Sequence, residues 1–303
     1  MADADLRPMS LGEVLDRTFN LYKNNFWLFA GITAMPFFLL LLVQVGIAAV
    51  SSSAANAPAT HAPPFSPGAI GGMIGGGAVV AVLYLLMIGA AHAATVFAVS
   101  DLYLSRPASI RGSFERVGWK VFRVLAVFFL IGLILVVGFV IVVAFGFAIR
   151  SPGFMILGFI LLIAPVIILM CRMAVSIPAA MLEDLGAVRA MERSVHLTKG
   201  HVMQIFVIFL LVLVATYVAI LVLQMPLLIL MVTSAAAHKT PSFGLQVLQQ
   251  LAAFVSQVLV GPIGTIAFSL MYYNLRVRKE AFDIQHLMSS MTSNPAPNAP
   301  SAA

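Results

Sequence analysis

Six histidines (His61, His92, His196, His201, His238 and His286) and eleven carboxylates are the groups in this 303-residue sequence that could do acid–base or metal chemistry. Metal-assisted hydrolysis of a phosphoester needs several of them around one hard cation. Oxygen and imidazole ligands must neutralise the ion while it orients the phosphate. Their spacing argues against such a centre. His196 and His201 are five residues apart, not the four that put two imidazoles on one helical face. Glu192 and His196 do share a face, and read as an ordinary surface pair. No nucleophile motif is present, and no glycine-rich phosphate loop follows a strand. We expect no catalytic residue, no metal site and no cofactor.

His92 stands apart, because it falls inside an apolar run, in Gly89-Ala90-Ala91-His92-Ala93-Ala94. Along a helix it lies about 13 Å from Asp101. An ionisable group at membrane depth invites a proton-relay reading. A relay needs partners, and no Asp, Glu or Lys lies in any of the apolar runs. A histidine hydrogen-bonded to a neighbouring helix is the expectation. Gln44, Gln224, Gln257 and Thr265 are further polar groups in such runs and could converge on a cavity. His92 with Gln257 is the candidate intramembrane polar site.

The elements that position these residues follow from composition. Hydrophobic residues make up 61% of the chain and charged residues 9%, with a mean hydropathy of +1.05. Soluble domains are about 45–50% apolar and about 25% charged, so lipid is the solvent for most of this chain. A spanning helix needs ~20 apolar residues. Six stretches qualify: Phe26–Val50, Ala69–Ser100, Val124–Ile149, Phe154–Ile177, Ile205–Val232 and Leu245–Asn274. Barrel strands alternate and are only ~10 residues long, whereas Val124–Ile149 has no polar side chain at all. The expected fold is all-α: a polytopic bundle of six transmembrane helices. The first run is also longer than the ~7–15 apolar residues of a cleaved leader. The lone cysteine, Cys171, leaves no intramolecular disulfide.

Fifteen Lys and Arg fall in the two termini and the second and fourth connectors, against two in the first, third and fifth. The positive-inside rule then places both termini in the cytoplasm, and a bacterial inner membrane is the expected location. All eleven acidic residues lie on that same side. The net charge of +6 is that of a chain meeting headgroups, so membrane lipids, anionic ones at the cytoplasmic face included, are the expected partners and nucleic acid is not. The densest polar set is a cytoplasmic rim: Glu13, Asp16, Arg17, Glu183, Asp184, Arg189, Glu192, Arg193, Arg276, Arg278, Glu280 and Asp283. We expect a structural ring that joins interfacial helices to the sixth span. Arg172 is expected to snorkel outward or to meet Glu183 and Asp184.

Three segments read as amphipathic interfacial helices, ahead of spans one, three and five. In the first, Leu11, Val14, Leu15, Thr18, Phe19 and Tyr22 recur along one helical face, and Ser10 with Glu13 forms a capping box. Asp16-Arg17-Thr18-Phe19-Asn20-Leu21-Tyr22-Lys23 lines up with Glu192-Arg193-Ser194-Val195-His196-Leu197-Thr198-Lys199, and Glu115-Arg116 with Trp119-Lys120 more loosely. This suggests a unit of interfacial helix plus hairpin that occurs three times. Gly71/Gly75 and Gly72/Gly76 form GxxxG pairs expected to pack helices, as does Gly89/Ala93. Pro36, Pro165, Pro226 and Gly261-Pro262 are expected to kink their helices. Residues 1–9 read as a flexible N-terminus, 10–285 as one membrane domain and 286–303 as a disordered tail.

Leu11-Gly12-Glu13-Val14-Leu15-Asp16, the Arg193-Ser194 segment and the closing Tyr272-Tyr273-Asn274-Leu275-Arg276-Val277-Arg278-Lys279-Glu280-Ala281-Phe282-Asp283 resemble the glycerophosphoryl diester phosphodiesterase membrane domain family. Asn274 departs from that pattern, which often has Asp there. The resemblance implies fold and location, not chemistry. The reading is thus a non-catalytic membrane scaffold or accessory module. Its alternative is a small-molecule or lipid-handling transporter, distinguished by a polar cavity between helical hairpins.

Overall fold

The computed structural model describes residues 8–55, 67–149, 152–236 and 241–280. Six helices are long and apolar enough to cross a membrane. They are α2 (Phe26–Ala55), α3 (Pro67–Tyr103), α5 (Val121–Ile149), α6 (Pro152–Met173), α9 (Val202–Leu223) and α11 (Phe243–Glu280). The three short amphipathic helices are α1 (Leu11–Asn24), α4 (Ile110–Val117) and α8 (Ala187–Thr198). Each stands directly before a helical hairpin, so the element order repeats three times.

Local chemistry accounts for the short helices. Ser10 Oγ accepts from the Glu13 amide at 3.3 Å while Glu13 Oε2 accepts from the Ser10 amide at 2.6 Å, the reciprocal cap expected of α1. Val14 and Thr18 are buried, but Phe19 is 65% exposed, so the inward face of α1 is narrower than the sequence pattern. Ser109 caps α4, which ends at Gly118 with φ +39. That left-handed backbone favours glycine, and it turns the chain into α5. The exposed Trp27 and Trp119 sit where α2 and α5 start, as interfacial indoles do.

One span differs from expectation, and another is broken beside the proline expected to kink it. The fourth ends at Met173, and residues 176–182 form a separate helix, α7 (Ser176–Leu182), almost wholly buried. The fifth breaks at Gln224, just ahead of Pro226, and continues as α10 (Met225–Ala236). Proline removes one backbone donor and crowds the preceding turn. Yet α2, α6 and α11 run on through Pro36, Pro165 and Pro262.

Packing is uneven along the membrane normal. At the charged end Phe29, Ile32, Ala93, Ala94, Phe97, Leu270 and Leu275 of α2, α3 and α11 pack into one core, with Val124 of α5 and Ile205 of α9. Towards the other end little is buried: in α3, residues 75–87 are exposed or half-buried, and in α11 so are residues 243–255. Gly89 of α3 approaches α5 closely, since a Cβ there would lie 3.2 Å from Leu125 Cδ2. Gly75 and Gly76, by contrast, face open space, so these members of the GxxxG pairs pack against nothing in the described chain.

Candidate functional site

Two polar regions emerge. At the rim, α8 supplies Arg193, whose Nε donates to Glu183 Oε2 at 2.9 Å and whose Nη2 donates to Glu280 Oε2 at 2.7 Å. Arg276 lies 3.2 Å from Glu280 and 3.8 Å from Glu183, and Tyr272 Oη donates to Glu183 at 2.7 Å. These four charges are about four-fifths buried, so their attraction is little screened by water. The hydrogen bond to Glu280 holds the Arg193 guanidinium above its already high pKa, against the pull of burial.

The remaining rim residues are spread over several contacts among the described residues. Glu13 serves the α1 cap and Asp16 is exposed on that helix. Arg17 stacks on the Tyr103 ring with 4.7 Å to its centroid, and Arg278 Nη2 donates to the Met9 carbonyl at 2.6 Å. Asp184 instead pairs with Lys120, just ahead of α5, and Arg123, in its first turn, at 2.6 Å and 2.8 Å. Hydrogen bonds from those two cations hold its carboxyl below the usual range. Arg189, Glu192 and the Arg172 side chain are exposed, while the Arg172 carbonyl accepts from Ser194 Oγ at 2.6 Å. Asp283 lies outside the described residues.

Asn274 explains how α1 is held. Its Oδ1 accepts from the Met9 amide at 2.8 Å and its Nδ2 donates to the Met9 carbonyl at 3.1 Å. A side-chain amide offers a donor and an acceptor on separate atoms, which matches the two backbone groups. Met9, the last residue of the segment read as the N-terminus, is buried with both its amide and its carbonyl hydrogen-bonded. Residues 1–7 and the tail from 281 lie outside the described residues.

The second polar region lies where the tight packing ends. A half-open cavity of about 430 Å³ is lined by α3, α5, α6, α7, α9 and α11. Its walls are mostly apolar, from Phe128, Met170, Phe209, Val212 and Phe268. His92, Thr216, Gln224, Ser256, Gln257 and Thr265 are the polar groups among its lining. His92 Nδ1 hydrogen-bonds Thr265 Oγ1 across α3 and α11, as expected of a histidine bonded to a neighbouring helix. Its ring also meets Phe128 edge-on at 5.9 Å between centroids. Gly261 leaves room for the Gln257 amide, because a Cβ there would sit 3.0 Å from Nε2.

A smaller cavity of about 220 Å³ adjoins the first and shares Gln224, Ala253 and Gln257 with it. Gln44, Tyr84 and Gln250 complete its polar lining. The structure thus brings together His92 with Gln257, and also Gln44, Gln224 and Thr265. Sequence reasoning missed Thr216, Ser256, Tyr84 and Gln250. The signal available was their type: hydroxyls and amides inside runs otherwise made of Leu, Val and Phe. Among the described residues no three His, Cys, Asp or Glu converge as metal ligands would.

A family model described as "Domain of unknown function (DUF7847)" matches residues 9–275, and the chain belongs to that family. No curated protein and no solved structure matches it.

Proposed function

We propose that this member of a family of unknown function is a non-catalytic membrane protein that takes up a small, largely apolar molecule in its central cavity. The observation that carries this is the 430 Å³ space, mostly hydrocarbon-lined, with six uncharged polar residues among its lining. Binding sites for small molecules are about 300–1,000 Å³, apolar, with a few placed polar groups. A helix bundle that served only as a scaffold would gain dispersion energy by filling such a space. Of the two roles open from the sequence, a handling role for a lipid or other small molecule is therefore preferred. The excess of Lys and Arg at the rim supports a cytoplasmic position for both chain ends and a bacterial inner membrane. Kinship with the glycerophosphoryl diester phosphodiesterase membrane domains is part of the same proposal. It draws support from the terminal motif, whose Tyr272, Asn274, Arg276, Arg278 and Glu280 bind the rim together.

Cysteine accessibility tests it. In a Cys171→Ala background, Thr216→Cys, Ser256→Cys and Gln257→Cys are expected to react with a small thiol reagent in membranes. Ile208→Cys and Leu270→Cys, in the packed half, are expected to stay protected. Uniform protection would return the protein to the scaffold reading.

A further inference from the structure

We infer that the ligand is an amphiphile with an uncharged, hydroxyl- or amide-bearing head and one hydrocarbon chain, and that it enters by the glutamine-lined cavity on the side away from the charged rim. The inference rests on the cavity reading above and names its ligand class and route.

Charge is the first argument. Neither cavity has an Asp, Glu, Lys or Arg among its lining residues. An ionised head would be taken from water with no counter-charge, at a large cost. Amides and hydroxyls, by contrast, pair with a neutral head and leave no buried polar group unsatisfied. The mostly hydrocarbon walls of the larger chamber suit a chain, and its volume lies at the low end for small-ligand sites.

Position gives the route. α2 starts at the rim, so Gln44, eighteen residues on, lies about 27 Å from that end. Gln250 is seven residues from the far end of α11. Both lie farther from the rim than Gln257 and His92, with Gln224 and Gln257 bridging the chambers. Five neutral polar groups, Gln44, Tyr84, Gln250, Gln224 and Gln257, therefore lead from the loosely packed half into the centre. On the rim side the path is blocked by buried α7 and by Leu270, Met271 and Tyr272 of α11. A groove between α5 and α8 approaches the chamber from the rim side only at Met173, and it carries the charged Glu192 and Lys199.

Photolabelling of the full chain in liposomes tests this with a diazirine-bearing monoacylglycerol and its phosphate ester of equal chain length. The neutral probe is expected to label the cavity segments of α9 and α11, and the ester about tenfold less. Replacing Gln250 and Gln257 together by Leu should lower neutral capture about tenfold, the loss of one good hydrogen bond, with melting in detergent unchanged. Gln44→Leu alone should act in the same direction. Equal labelling by the ester overturns the head-group class and leaves the cavity reading standing. Loss of capture in Met173→Trp, with the glutamine variants unaffected, overturns the route. Absence of labelling by both probes, with Gln257→Cys unreactive, overturns the cavity reading itself.

Discussion

The two halves of this bundle are made of the same apolar residues and are built differently. Within their most apolar stretches 44%, 33% and 33% of the residues of the first, second and sixth spans are buried, against 6%, 11% and 11% in the other three. In four of the spans the buried positions gather towards the charged rim: Ala93 to Ser100, Cys171, Ile205 and Ile208, and Gly264 to Leu275; in α2 they run on from Phe29 and Ile32 to Leu40, Leu41 and Ala48, and in α5 Gly146 joins Val124 and Val127. Lipid tails are as apolar as leucine, so burial among helices brings no hydrophobic gain there. What holds helices together is close packing and polar contact, and both are concentrated at the rim. The other half is looser along α3 and α11, although α5 and α6 stay close there, where a Cβ on Gly158 would lie 2.8 Å from Val142 Cγ1, and the chambers open where the tight packing of α3 and α11 ends. The comparison teaches that fold and binding space are separated along the membrane normal.

The sharpest way to break the comparison is at the rim. Arg193→Glu turns two short ion pairs into two repulsions with Glu183 and Glu280. Removing one partner of a buried pair costs about 3–5 kcal/mol, and at about a fifth exposed these groups sit at the lower end of that scale. A loss of about 3 kcal/mol is expected in thermal melting of the purified protein. Adding Glu280→Arg should recover part of it, and no recovery would mean that the cluster is not what joins α8 to α11. Next in size is Asn274→Leu, which strands the Met9 amide while the Met9 carbonyl keeps its bond from Arg278, and is expected to cost about 2 kcal/mol. Asn274→Asp keeps the acceptor for the amide and loses only the second donor to that carbonyl, so a smaller effect is expected. Hydrogen exchange at residues 10–14 reads it directly, with faster exchange in both variants.

Much of this was legible in the sequence and some was not, for definite reasons. Six runs of apolar residues longer than a bilayer is thick admit one backbone solution, so α2, α3, α5, α6, α9 and α11 could be read from length alone. Ser10 and Glu13 marked α1 because a capping box is a local object. The partners at the rim were less legible. Arg193 with Glu183 and Glu280 lie 10 and 87 residues apart, so their pairing depends on how α7, α8 and α11 assemble. Glu13 and Asp16 were grouped with them by level in the membrane, which says nothing of distance around the bundle. The break at Met173 escaped because hydropathy runs on through it, whereas Pro226 marked the one at Gln224. The asymmetry of packing escaped for a related reason: in Val124–Ile149 every residue is apolar, so no face is distinguished.

The smallest expected effects sharpen the comparison most finely, because one kind of residue should respond with opposite sign in the two halves. Gly89 lies against α5, where a Cβ would sit 3.2 Å from Leu125 Cδ2 and 3.4 Å from Val121 Cγ2. Gly89→Val therefore forces α3 and α5 apart, and overpacking of this kind costs about 1–2 kcal/mol. Gly76 lies on the same helix, and nothing in the described chain comes within 4 Å of where its Cβ would be. There the added methyl displaces no neighbour and removes freedom from a helical glycine, so Gly76→Ala should stabilise by about 0.5–1 kcal/mol. Thermal melting in detergent with lipid compares the two. If Gly76→Ala destabilises as Gly89→Val does, then a surface outside the described residues presses on α3 at its far end, and the space beside Gly76 is not open.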